Sequence, residues 1–260
     1  MRKTLRDRLQ NGETILGSWN IIPSADLVEI IGRSGFDFIV IDAEHGPVSM
    51  ETAANLIRAA ECSGMDALIR VPCNDAHLVL RALDIGACGV QVPHVSTKEE
   101  ARSVVQSAKY HPEGRRGLSP FTRSARYGLG AQGHTERSNS RTLVVLNIEG
   151  KEGIENLKEI VKVPGIDVIF IGPYDLSQSL GKPGQVDDPE IIRRISQSVK
   201  IAEAKGIACG SFARDERYLG LLLDCGVRYL TYMVDSTIIL DGYMKLRERS
   251  AKMIAQKRAR

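Results

Sequence analysis

Short apolar runs and amphipathic stretches take turns along almost the whole chain, and this alternation limits the possible folds more than any single motif. The apolar runs lie at 14–20, 36–46, 65–72, 88–95, 142–149, 166–172, 207–212 and 227–233, and they read as strands. Helical stretches lie between them or follow them, at 24–35, 49–64, 75–87, 96–110, 153–162, 189–205, 214–225 and 237–257. Ser24, Ser49 and Ser96 stand where helix caps are expected, the last with a Glu three positions on. A short amphipathic helix over 1–12, with Leu5 and Leu9 four apart, comes first. Strict β–α succession implies a parallel sheet. Eight such units fit a closed (β/α)8 TIM barrel, an α/β fold of about 250 residues, as one domain over 1–260. A doubly wound open sheet is the structural alternative.

The pattern pauses once. Residues 111–141 are polar, glycine-rich and basic, with little apolar periodicity. They read as a long loop, of the kind that serves a site or an interface. A net charge of +3 is too mild to argue for nucleic acid or a membrane surface as partner. No apolar run approaches the roughly 20 residues of a membrane helix, and the charged N-terminus has no apolar signal core. The cysteines, Cys62, Cys73, Cys88, Cys209 and Cys225, show no CxxC spacing. They read as reduced thiols in a cytoplasmic protein.

In a barrel of this type the chemistry sits at the C-terminal ends of the strands. Those ends offer Trp19; Asp42, Glu44 and His45; Arg70; Gln91 and His94; Asn147 and Glu149; Gly172 and Asp175; Ser211 and Phe212; and Met233 to Asp235. Polar groups are costly inside a core, so their gathering at one rim marks a candidate site. Glu149 and Asp175 are carboxylates from adjacent strand ends, suited to a hard divalent ion such as Mg²⁺. On spacing alone, Glu149 serves equally well as a salt-bridge partner and Asp175 as a helix cap. The run ending in Gly172-Pro173 stops abruptly, because proline cannot extend a sheet ladder. Gly172 permits close approach of a ligand or another backbone. His45 follows Asp42 and Glu44, an arrangement suited to a general base, although a loop histidine bonded to backbone is the commoner case. Arg70 can neutralise an oxyanion or form an ion pair with Asp42 or Glu44, or do both. Trp19 and Phe212 are candidate pocket walls. His94 lies near the rim, while His77, His111 and His134 read as structural.

Taken together, IDAEHGP, the Arg70 strand, VQVPHV, HPEGRRG with SARYG, NIEG and IFIGPYDLSQSLG resemble the HpcH/HpaI aldolase family over residues 10–250. The resemblance implies a TIM barrel assembled as a hexamer or trimer. It implies reversible cleavage of a 4-hydroxy-2-oxo or 2-keto-3-deoxy acid to pyruvate and an aldehyde through a pyruvate enolate. Glu149 and Asp175 match the family's ligands for Mg²⁺, Mn²⁺ or Co²⁺. His45, oriented by Asp42, matches its acid/base residue, and Arg70 the residue that stabilises the enolate. Glu44 would support the His45 loop. The backbone amides around Tyr174 and Asp175, just after Gly172 and Pro173, would receive the pyruvate carboxylate at the helix start. Asn147 stands where glutamine is usual, and Tyr174 where a small residue is common. Both positions, with Phe212, bear on the choice of aldehyde. The Schiff-base route needs a lysine near the sixth strand end, and 163–181 holds none. A related citryl- or malyl-CoA-type lyase and a non-catalytic keto-acid-binding barrel are the alternatives.

Overall fold

The computed structural model describes residues 3–258. Positions 1–2 of the expected first helix and 259–260 of the basic tail lie outside the described residues. The strands are β1 Ile15–Asn20, β2 Phe38–Asp42, β3 Asp66–Arg70, β4 Gly89–Val92, β5 Leu143–Asn147, β6 Val168–Ile171, β7 Ala208–Ala213 and β8 Tyr229–Val234. Among the described residues they close into a barrel in sequence order, each pair parallel. The helices are α1 Leu5–Gln10, α2 Ala25–Arg33, α3 Met50–Cys62, α4 Ala76–Asp84, α5 Lys98–Ala108, α6 His134–Arg141, α7 Lys151–Ile160, α8 Pro173–Ser179, α9 Pro189–Glu203, α10 Glu216–Asp224 and α11 Asp235–Arg258. Among the described residues no helix is long and apolar enough to cross a membrane.

Side chains alternate across each strand, and the two faces form separate apolar clusters. Ile15, Phe38, Leu68, Val145 and Tyr229 meet inside the barrel. Their neighbours, such as Ile39, Ile69, Val144 and Leu230, pack in the layer under the helices. Size is matched across strands. A Cβ on Gly17 would lie 2.3 Å from the Phe38 ring, so β1 leaves the space that β2 fills. Leu5 and Leu9 of α1 join the inner cluster and plug its N-terminal end. Arg6 and Arg8 tie α1 down through Asp167 at 2.7 Å and Asp37 at 2.5 Å.

Ser24 and Ser49 cap α2 and α3 as expected. The cap of α5 is Thr97, one residue later than expected, in a capping box with Glu100. The larger correction concerns 111–141, which is not a plain loop. It contains a 3₁₀ segment, Arg123–Gly128, and the helix α6. Only His134 and Asn139 of α6 are buried, so the helix has no apolar stripe for periodicity to detect. Polar contacts hold it instead. Lys109, fully buried, donates from Nζ to the Asn139 and Thr142 carbonyls at 2.7 and 2.8 Å. Arg6 donates to the Asn139 and Ser140 carbonyls at 3.2 and 3.0 Å. A helix C-terminus favours such cations.

Burial lowers the Lys109 pKa from 10.5 to about 8, against the pull of Asp167. Between those values the unfolded chain binds the extra proton, so this group's contribution to stability rises with pH. Urea unfolding of wild type and Lys109→Met from pH 7 to 10 checks this. The difference between them should move toward the wild type by about 2 kcal/mol from pH 8 to 10. A pH-independent difference would contradict it.

Candidate active site

The C-terminal ends of the strands enclose a cavity of about 440 Å³. Of the residues singled out from sequence, Trp19, Asp42, His45, Arg70, Asn147, Glu149, Gly172, Pro173, Tyr174, Asp175, Phe212, Met233 and Val234 line it, whereas Glu44, Gln91, His94, Ser211 and Asp235 do not. The two-residue repeat explains why. Trp19, Asp42, Arg70, Asn147 and Phe212 continue the inward rows of their strands to the rim.

Arg70 is held from several directions. Asp42, its register partner on β2, accepts from Nε at 2.9 Å and Nη2 at 2.5 Å. Such a two-pronged pair fixes orientation as well as charge. Glu44 Oε2 lies 3.2 Å from Nη1. The guanidinium sits 4.3 Å from the Trp19 ring centroid, and Trp19 donates its indole N–H to Thr231 at 2.9 Å. Both ion pairs anticipated for Arg70 are therefore present together.

Asp42 does a second job. Its Oδ1 accepts the main-chain N–H groups of Glu44 and His45 at 3.0 and 3.2 Å. It therefore shapes the turn that carries His45 and does not bond the imidazole, which corrects the expected orientation of the ring. His45 itself is exposed at the cavity edge. Glu44 turns to Arg70 and to His94 Nε2, 3.3 Å away.

Glu149 is 3% exposed. Its Oε1 accepts the His94 main-chain N–H at 2.9 Å and lies 3.2 Å from His94 Nδ1. His94 adopts φ 56° to do this, a left-handed conformation uncommon outside glycine. Oε2 accepts from Asn147 at 3.3 Å. Asn147 in turn accepts from Gln91 at 2.8 Å, and Gln91 accepts the Tyr229 hydroxyl at 3.2 Å. A polar chain thus crosses the barrel interior and ends on the carboxylate. Burial pushes Glu149 above the usual carboxylate range, against the His94 N–H, with Asp175 and Glu44 adding to the rise. Gly172 has a definite role: a Cβ there would lie 2.7 Å from Glu149 Oε2. The close approach anticipated at this glycine is that of the carboxylate.

A divalent ion fits this donor set. Glu149 is a buried anion whose only ion-pair partner among the described residues is the His94 ring. Asp175 opens α8 on the same cavity. Among the described residues no group of three or more His, Cys, Asp or Glu could hold a metal alone. Two carboxylates would leave the rest of the shell to water and substrate oxygens, a common arrangement for Mg²⁺.

The model of the HpcH/HpaI aldolase/citrate lyase family matches residues 16–241. The chain belongs to this family. A hydroxypyruvate/pyruvate aldolase of Roseobacter denitrificans is 34% identical, covering 92% of this chain and 93% of its own. A 4-hydroxy-2-oxovalerate aldolase of Novosphingobium aromaticivorans is 32% identical, covering 94% of each. In three dimensions the chain resembles an HpcH/HpaI aldolase/citrate lyase family protein of Burkholderia cenocepacia. The TM-score is 0.90 at 27% identity, over 95% of this chain and 98% of the other.

Family membership leaves some cavity residues that sequence reasoning missed: Ile21, Phe170, Arg214 and Thr237. Arg214 had a signal, since it stands two positions beyond Phe212 on the same face. Thr237 had none, because it belongs to the first turn of α11. His94 touches Glu149 and does not line the cavity.

Asp42→Ala would strip two hydrogen bonds from Arg70 and two from the His45 turn. A loss of about 3–5 kcal/mol is expected, as for other broken buried ion pairs, with a smaller loss for Asp42→Asn. Urea unfolding measures both, and a cost within about 0.5 kcal/mol for the alanine variant would mean the pair is idle.

Proposed function

We propose that this HpcH/HpaI family chain is a divalent-metal-dependent aldolase, a carbon–carbon lyase that reversibly cleaves a 4-hydroxy-2-oxo acid to pyruvate and an aldehyde. The observation that carries the reading is one cavity at the strand ends shared by Glu149, Asp175 and the doubly held Arg70. Glu149 and Asp175 would hold the ion, of the Mg²⁺, Mn²⁺ or Co²⁺ class. When bound, it supplies Lewis-acid polarisation of the 2-oxo group and a template for the acid.

The chain's own residues do the rest. His45 accepts the proton of the C4 hydroxyl, directly or through one water. The C3–C4 bond then breaks, the aldehyde leaves, and the electron pair is delocalised to the C2 oxygen. Arg70 faces that oxygen as a fixed positive charge, already oriented by Asp42 and Glu44, so little reorganisation accompanies the charge build-up. Proton return to C3 yields pyruvate. The main-chain N–H groups of Tyr174 and Asp175, in the first turn of α8, are the donors for the substrate carboxylate in this reading. Among the described residues no lysine lines the cavity, and the buried Lys109 bonds beside the start of β5, at the other end of the barrel. Exposed apolar side chains on α11, among them Leu240, Tyr243 and Leu246, support a homo-oligomer, since a free surface of that kind is unusual.

Pyruvate release from a panel of 4-hydroxy-2-oxo acids should vanish with EDTA and return with Mg²⁺, Mn²⁺ or Co²⁺. Glu149→Gln and Asp175→Asn should each weaken Mn²⁺ binding, read by calorimetry, without unfolding the barrel. Undiminished binding in both variants would remove these two as ligands. Arg70→Ala should suppress exchange of pyruvate methyl protons in D₂O. His45→Ala should slow cleavage by about 10²–10⁴-fold and exchange by much less. Equal losses in the two assays would reassign the base.

A further inference from the structure

Gln91 on β4, Asn147 on β5 and Tyr229 on β8 are polar side chains fully buried in the barrel. Polar groups in such a place are costly unless each is bonded. Gln91 and Tyr229 do not line the cavity, and no step of the proposed cleavage touches either of them.

The bonds between these residues have a fixed sense. An ionised carboxylate only accepts, so Asn147 must present Nδ2 to Glu149 Oε2, 3.3 Å away. That leaves its Oδ1 for Gln91 Nε2, at 2.8 Å. Gln91 then has only Oε1 to offer on its other side, where Tyr229 donates its hydroxyl at 3.2 Å. The phenol therefore sets the orientation of both amides. Donors arranged head to tail polarise one another, and here all of them point toward the carboxylate.

Packing fixes the hydroxyl in turn. The Tyr229 ring centroid lies 4.5 Å from that of Phe38 and, edge-on, 6.1 Å from that of Phe170. A Cβ on Gly210 would lie 2.8 Å from Tyr229 Cδ1, so β7 leaves space for the ring. Burial holds the phenol well above its ordinary pKa, which keeps it a donor. At the far end, Glu149 Oε1 is held by the His94 main-chain N–H at 2.9 Å. Both carboxylate oxygens are thus bonded within the protein, and each retains lone-pair capacity for a cation.

We infer that Tyr229, acting through Gln91 and Asn147, is a positioning residue for Glu149, and that this buried chain raises the affinity of the carboxylate for a divalent cation by fixing its orientation in advance. The inference rests on the reading of Glu149 as a metal ligand, and it adds two residues that touch neither ion nor substrate. A ligand group already oriented loses less freedom on binding, and outer partners of this kind are commonly worth roughly 10–100-fold in metal affinity.

Calorimetric titration of the metal-free full-length chain with Mn²⁺ tests it. Gln91→Met, close in shape, should weaken binding by roughly 10–100-fold. Tyr229→Phe, one link further off, should weaken it by at least about threefold. The double variant should bind no more weakly than Gln91→Met alone, because the chain is already cut. Leu68→Ala, in the same inner cluster, is the packing control: its thermal melt should fall while its Mn²⁺ affinity stays within about twofold of wild type. Unchanged affinity in folded Tyr229→Phe overturns the inference whatever Gln91→Met does, and that variant, which loses a single oxygen atom, decides the matter alone if Gln91→Met fails to fold. A loss in Leu68→Ala as large as theirs, or additive losses in the double variant, also overturns it. Absence of Mn²⁺ binding by the wild type defeats the metal reading of Glu149 and the inference with it, whereas wild-type binding that the variants retain defeats the inference alone.

Discussion

Closing parallel strands into a ring leaves inward side chains no space except one another's. In this chain that constraint decides nearly everything of interest. Low in the barrel the inward rows are apolar and interlock, as Gly17 against Phe38 shows. Toward the C-terminal rim the same rows turn polar, and polar groups in such a space must satisfy one another. The chain Tyr229–Gln91–Asn147–Glu149 is the result. It carries hydrogen bonding from the dry interior up to a carboxylate at the cavity.

The rim is acidic on balance. Asp42, Glu44, Glu149 and Asp175 stand on the β2–β6 side with one arginine, Arg70, which pairs with the first two. Two of those acids are committed to Arg70, and Glu149 is left with a main-chain N–H, an amide and a histidine ring. Burial makes the Glu149 charge costly, and a hard cation would relieve that cost. The same reasoning separates the two arginines of the cavity. Arg70 sits among acids next to the proposed reacting oxygen. Arg214 sits beside apolar walls and pairs with Asp187 and Asp215.

Much of this was legible in the linear chain because it depends on local periodicity. The repeat of two along strands placed Trp19, Asp42, Arg70, Asn147 and Phe212 at the rim. Capping residues bounded α2 and α3 for the same local reason. Reading failed where the deciding contacts are distant in sequence. Helix α6 has no apolar stripe and stands on bonds from Lys109 and Arg6. His94 looked like a residue near the rim, yet its partner lies 55 positions away. Asp42 looked like the orienting partner of the His45 ring, and its carboxylate instead accepts main-chain N–H groups of that turn while holding the guanidinium 28 positions on.

By itself the sequence determined a β–α succession long enough for one ring, which side chains point inward, and the identity of the aldolase family that the chain's motifs resemble. Those properties follow from spacing along the backbone and need no knowledge of what lies opposite. Tertiary structure alone decided the pairings: Asp42 with Arg70 over Trp19, His94 with Glu149, Gly172 making room for a carboxylate, Arg214 among aromatic walls. Hydrogen bonds and charge pairs act over a few ångströms in space, and closure of the ring is what brings residues so far apart in the chain within that reach.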